Sequence, residues 1–207
     1  MIDKKIADIL KKVPVDYYDN TNLIQNLWHT RKINSLKQLI GNSNYSRILD
    51  IGCASGTLTK KISEICTGEI TAIDAYNKAI AYARKRHPEI KFLVADAHKL
   101  PFKSNFFDLI VSYETIEHLI DPPKALKEIH RVLKRNGRAI IAMDSGSLLF
   151  RIVWLFWENT KGKIWQGAHL HPFHHNELES VIKKAGLKIL KKKFTHLGME
   201  VTFILKK

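Results

Sequence analysis

Three carboxylates and a pair of glycines are spaced for chemistry in the first half of this chain. Asp50, Gly52 and Gly56 fall within Arg47-Ile48-Leu49-Asp50-Ile51-Gly52-Cys53-Ala54-Ser55-Gly56, and Asp74 and Asp96 each close a later apolar run. Glycines at a tight turn let a ligand approach the backbone, and the helix N-terminus that follows offers unpaired N–H groups. A carboxylate at the strand end repels a pyrophosphate and suits a ligand bearing a positive amino group. Asp74 is placed to accept hydrogen bonds from both hydroxyls of a ribose, and charge-assisted bonds of this kind are the strong ones. Asp96 is placed to accept an adenine amino proton. A dinucleotide fingerprint G-x-G-x-x-G would need glycine at Gly52, Ala54 and Thr57, and the β-branched Thr57 makes that match poor.

Histidines form the second chemical group. Histidine titrates near neutral pH and suits the work of a general base, which makes His118, His169 and His171 the catalytic candidates. For each, the alternative is a structural hydrogen bond. His169, His171, His174 and His175 put four histidines in seven residues. No cysteine or carboxylate is spaced beside them as a zinc site wants, so no metal is expected. Asn176-Glu177-Leu178 reads as a helix start with His175 or Asn176 as cap.

The elements that must hold these groups alternate between strand and helix. Ile48, Leu49 and Ile51 mark a buried parallel strand, and Thr57 to Ile62 has helical spacing. Strands are expected at 69–74, 90–97, 106–113 and 138–143, with a helix from Asp121-Pro122-Pro123 that Asn136-Gly137 ends. Two amphipathic helices, 2–13 and one capped by Thr21 or Asn22 and running to Ile40, precede the first strand. Tyr17, Tyr18, Trp28 and His29 in this region are candidates for a lid. Leu148 to Trp157 is strongly apolar and too short to span a bilayer. Core packing is its first reading; a pocket wall, a membrane-surface contact and a dimer contact stay open.

The chain has 207 residues, 45% of them apolar and 26% charged, which fits one globular α/β domain. Cys53 and Cys66 are the two cysteines, and no disulfide framework is suggested. With no apolar signal core at its start, a cytoplasmic location is expected. The formal charge of +14 invites an anionic partner, but residues 181–207 hold eight lysines against one acid, and no arginine-rich or aromatic-interleaved tract accompanies them. Lysines guarding an edge strand account for the bias, and a specific nucleic-acid partner is not expected.

Residues 47–143 resemble the cofactor-binding core of class I S-adenosylmethionine (SAM)-dependent methyltransferases, and are similar to the group that contains the ubiquinone and menaquinone biosynthesis methyltransferases. The resemblance rests on Leu49 to Gly56, Asp74, Asp96-Ala97-His98-Lys99-Leu100-Pro101-Phe102, Glu117 to Pro122 and Glu128 to Gly137. Ala54 departs from it, standing where the family's loop has its middle glycine. The resemblance implies a Rossmann-like seven-stranded mixed sheet of order 3-2-1-4-5-7-6 with helices on both faces. It implies that Asp50, Gly52 and Gly56, with Cys53 and Ala54 between them, line the methionine part of SAM. Asp74 and Ala75 would hold the ribose, Asp96 and Ala97 the adenine, and Ser112 and Tyr113 would pass beneath the methyl donor. The function implied is methyl transfer to a small, apolar or lipid-like acceptor by a monomer or homodimer, with helices 1–41 and the insert 145–186 covering the acceptor in a single domain. RNA or DNA methylation is the alternative. It is disfavoured because Ser112-Tyr113-Glu114-Thr115 replaces the [ND]-P-P-[YFW] motif of base-amino methylating enzymes. A non-enzymatic SAM-binding role stays open.

Overall fold

The computed structural model describes residues 4–17, 23–41, 43–160, 162–171 and 173–207, and describes Leu23 and Ile24 through their backbone alone. Ile2, Tyr18, Thr21 and Asn22, on which some of the expectations rest, lie outside the described residues. Two helices, α1 (Lys4–Lys12) and α2 (Leu23–Ile40), lead into β1 (Arg47–Ile51), α3 (Thr57–Ile65), β2 (Glu69–Asp74), α4 (Asn77–Arg86) and β3 (Lys91–Val94). There follow β4 (Phe107–Tyr113), α5 (Pro122–Val132), β5 (Leu133–Asp144), α6 (Leu148–Glu158), α7 (His175–Lys184), β6 (Lys188–Thr195) and β7 (Glu200–Lys206).

The strands form one seven-stranded sheet of order β3-β2-β1-β4-β5-β7-β6, as expected. The first five strands are parallel, and β7 runs antiparallel to both β5 and β6. β1 lies between β2 and β4, so its apolar residues are buried on both faces: Ile48, Leu49 and Ile51 are at most 1% exposed. One face packs against Leu126, Ile129 and Leu178 of α5 and α7, the other against Leu36, Ile62 and Ile80 of α2, α3 and α4. Order reverses at β1 and β4, so the crevice at their C-terminal ends is the switch point where open α/β sheets bind ligands.

Three local expectations are corrected. The helix α5 ends at Val132, not at Asn136-Gly137, because Leu133 turns extended (φ −70°, ψ 134°) and 133–137 join β5. Gly137 is required there by close approach: a Cβ would lie 2.8 Å from the Leu133 side chain and 3.0 Å from the Phe107 and Asp108 carbonyl oxygens. His174, one residue earlier than expected, caps α7 and forms a capping box with Glu177. Most consequentially, the apolar stretch is not core. It forms α6, no residue of which is buried, with Leu148 75% and Phe156 73% exposed. Among the described residues no helix is long and apolar enough to cross a membrane.

Candidate active site

The turn after β1 is held by the end of β2. Gly52 and Cys53 both donate their N–H to the Ile73 carbonyl (2.8 and 3.0 Å). Asp74 then clamps the loop, its Oδ2 accepting from the Ala54 N–H at 2.9 Å and its Oδ1 from the Tyr76 N–H at 2.8 Å. Gly52 has φ 79°, and any Cβ there would collide with the Thr115 side chain. Gly56 has φ 81° and opens α3, where a Cβ would press to 2.8 Å on the Phe92 ring. Ala54 adopts φ 45°, the left-handed backbone that favours glycine, and bears the strain of a Cβ there.

Asp50 is 1% exposed and accepts a 2.6 Å hydrogen bond from Thr59 Oγ1. Burial pushes its carboxyl up to about 7, the Thr59 bond opposes that, and the Asp74 charge adds to it. Burial also raises Asp74, although backbone N–H groups stabilise its ionised form. A buried and a half-buried acid at one strand-end crevice favour a positively charged ligand.

The crevice opens as a cavity of about 430 Å³, in the range of small-molecule sites. Its wall includes Asp50, Gly52, Cys53, Ala54, Asp74, Ala75, Asp96, Ala97, Tyr113 and His118. Of the remaining sequence candidates, Gly56, Ser112, His169 and His171 are not on that wall. Gly56 serves the turn from behind. Ser112 shares the β4 face of Ile110, fully buried, while Tyr113 points the other way. Asp96 holds His98, whose Nδ1 donates to Oδ1 at 2.6 Å and whose Nε2 accepts from the Asp121 N–H at 3.1 Å. The other wall is apolar where it comes from α1 and the turn after it, with Ile6, Ile9, Leu10 and Val13 joined by Trp165, and mostly polar where it comes from α2, which sets Asn26, Thr30 and Lys32 beside Ile33. His29 lines the cavity, and Tyr17 packs edge-on against Trp165. Trp28 stacks on His196 instead.

At the far end of the cavity the β4 exit meets the segment before α7. The Nδ1 of His118 donates to the Ala168 carbonyl at 2.8 Å, and the His171 N–H donates to the Glu117 carbonyl at 3.0 Å. The His171 ring lies at the outside, 3.3 Å from the Ile120 carbonyl and stacked on Phe173. His169 stacks on His118 with centroids 5.1 Å apart and has its Nε2 3.3 Å from Asp144 Oδ2. Burial lowers His118, and burial with the neighbouring His118 charge lowers His169 to about 4. Both rings are therefore neutral at pH 7, each with a lone pair on the nitrogen that carries no hydrogen.

Sequence reasoning missed the acids and the lysine of this end. Glu114, Glu117 and Asp144 cluster with Lys32, which is 5% exposed and pairs with Glu114 and, at 3.6 Å, with Glu200. Burial raises the Glu114 carboxyl, but Lys32 overrides it and leaves it lowered. Glu117 is pushed up to about 8 by burial and by Glu114, and Asp144 is raised well above the carboxylate range by burial and by Glu117. Glu114 also carries φ 48°, a strained backbone at a strand exit. Glu114 and Asp144 end parallel strands, which is a readable signal; Lys32 is placed only by the docking of α2.

Residues 49–141 match the family described as a methyltransferase domain. The demethylmenaquinone methyltransferase of Chlorobaculum tepidum is 26% identical over 144 residues, 68% of this chain and 60% of that protein. The human protein named arginine-hydroxylase NDUFAF5, mitochondrial, is 30% identical over 149 residues, 71% of this chain and 43% of that one. The chain thus spans between 43% and 60% of the length of these two relatives. A solved SAM-dependent methyltransferase from Thermotoga maritima superposes with a TM-score of 0.76 over 98% of this chain and 99% of that one, at 24% identity, and shares the fold. The Asp50–Gly56 loop, the sheet order and the match over residues 49–141 identify a methyltransferase domain of the class I fold, the fold of enzymes whose cosubstrate is S-adenosylmethionine.

Proposed function

We propose that this chain transfers a methyl group from S-adenosylmethionine to a small, apolar or lipid-like acceptor. The observation that carries the reading is the pair of acids, the buried Asp50 and the half-buried Asp74, on one cavity beside a glycine whose Cβ would be obstructed. These residues fit the cosubstrate: Asp50 would take its cationic amino acid end, Asp74 its ribose, and Asp96 with Ala97 its adenine. When bound it supplies a methyl group on a sulfonium, open to in-line displacement. The chain's own work is to orient, to exclude water and to handle a proton. Tyr113 is held neutral, since burial and then Glu200 push its hydroxyl up. His118, with Nδ1 committed to a carbonyl, keeps its Nε2 lone pair for an acceptor proton.

The apolar wall of α1 and Trp165 supports an apolar acceptor, with the N-terminal helices and the segment 145–186 as its cover. The exposed face of α6 suits peripheral contact with a membrane surface. The names of the relatives point to a quinone in one case and to an arginine in the other, so the acceptor class rests on the wall. Calorimetry should show binding of S-adenosylmethionine and of its demethylated product, and none of NAD; tight NAD binding without the former would sink the assignment. A screen of lipid, quinone and metabolite extracts with labelled cosubstrate then identifies the acceptor.

With an acceptor in hand, joint replacement of His169 and His171 by alanine should lower turnover by about 10-fold or more while barely changing cosubstrate affinity. If the folded double variant lost cosubstrate binding, these histidines would belong to the cofactor side instead.

A further inference from the structure

We propose that Glu117, His118 and His169 bind a divalent transition-metal ion that joins the exit of β4 to the segment between α6 and α7. One donor atom from each residue lies within 4.8 Å of the other two. Zinc with ligand distances of about 2.0–2.2 Å holds tetrahedral donors roughly 3.4 Å apart, so the set closes with side-chain shifts on the order of 1 Å. Two imidazoles and one carboxylate suit zinc, manganese, iron or cobalt better than the all-oxygen ions.

Glu117 carries the argument. It is 2% exposed, and neither of its carboxylate oxygens accepts a hydrogen bond from another residue. A buried carboxylate without donors has nothing to offset its lost hydration, and a cation would supply it. The buried lysine of the cluster, Lys32, is engaged with Glu114 and Glu200. His118 is already oriented as metal-bound histidines are, one ring nitrogen donating to a backbone carbonyl and the other left with its lone pair. His169 has the carboxylate of Asp144 beside its ring, the second common way of fixing such a ligand. The two segments are also clamped by the backbone bond from His171 to Glu117, so the ligand set is held before any ion arrives. The run of histidines carried no metal signal in the sequence because its carboxylate partner comes from the far side of α5 and β5.

Three protein ligands leave a coordination position open, and His118 lines the cavity. On the methyl-transfer reading, an oxygen of the acceptor would occupy that position, and in the ion-loaded chain the His118 Nε2 lone pair would be spent on the ion instead of on the acceptor's proton. Metal binding by the chain itself does not depend on that reading, and its test uses neither cosubstrate nor acceptor.

The full chain, stripped with a chelator and dialysed against zinc or manganese, should hold one ion per chain by elemental mass spectrometry. Glu117→Gln and His169→Ala should each weaken zinc binding by about 100-fold, the upper range for a disturbed ligand shell. Replacement of His174 and His175 by alanine should leave it unchanged. Cobalt(II) should give the visible absorption of a low-coordinate nitrogen–oxygen site in the wild type, and lose it in Glu117→Gln. Circular dichroism verifies the fold of each variant. The proposal is overturned if the wild type takes up no zinc at about 100 μM, a concentration at which a three-ligand site fills. Equal binding by both variants, or loss only with His174 and His175, overturns it too. Stabilisation by a small primary amine that depends on Glu117 while zinc has no effect would assign the cluster to a cationic acceptor instead.

Discussion

Without cosubstrate, Asp50→Asn should be more stable than the wild type at neutral pH, by on the order of 4 kcal/mol, and the gap should vanish near pH 4. The carboxyl of Asp50 rises from 3.8 to about 7 in the folded chain. A raised carboxyl binds its proton more tightly in the folded state. Its contribution is therefore complete below the unfolded value and is lost as pH rises through about 7. Asparagine cannot ionise, and its amide oxygen can still accept the Thr59 hydroxyl bond. Denaturant unfolding at several pH values, with wild type and variant side by side, measures the difference. A pH-independent gap would show that Asp50 ionises freely in the folded chain. Saturating S-adenosylmethionine should reverse the ranking, since the ionised carboxylate then faces a positive ligand and the variant has no charge to offer.

Asp74→Ala should weaken S-adenosylmethionine binding by ~1.5–3 kcal/mol, the range for losing hydrogen bonds to a charged group. The structure adds a second cause to the ribose argument. Both oxygens of Asp74 accept backbone N–H groups, one from Ala54 in the loop and one from Tyr76 at the start of α4. Removing the carboxylate frees the left-handed Ala54, so the loop should loosen before any ligand binds. Hydrogen exchange at Ala54, together with calorimetry, separates the two effects. Unchanged affinity would mean that the ribose is held elsewhere.

The half of the site built on β1 and β2 was legible in the sequence because it is local. Asp50, Gly52 and Asp74 each end or follow a strand, and strand ends in a parallel sheet converge on one crevice. The strained Ala54 was visible only as a departure from a pattern; its φ explains how the loop tolerates it. The end of the cavity at His118 was less legible, because it is assembled across long separations. Lys32 meets Glu114 and Glu200 through helix docking, and Glu117 meets His169 across α5, β5 and α6. Burial of α6 was misjudged for a related reason. An apolar run with helical spacing states that some face wants to leave water, without stating what will cover it. The helix end at Gly137 was misread because glycine serves both helix stops and tight strand contacts, and here a close carbonyl pair decided between them.

The ion pairs of Lys32 make the N-terminal helices part of the sheet's electrical balance. Glu114 and Glu200 sit at the ends of β4 and β7, and their buried counter-charge arrives from α2. This wall of the cavity is therefore not an interchangeable module. A chimera that took its first forty or so residues from a relative with a different acceptor would leave two carboxylates stranded in the interior unless a cation came with the graft. Substitution at the apolar positions that line the cavity, such as Ile6 and Ile33, leaves that balance intact, whereas substitution at position 32 does not.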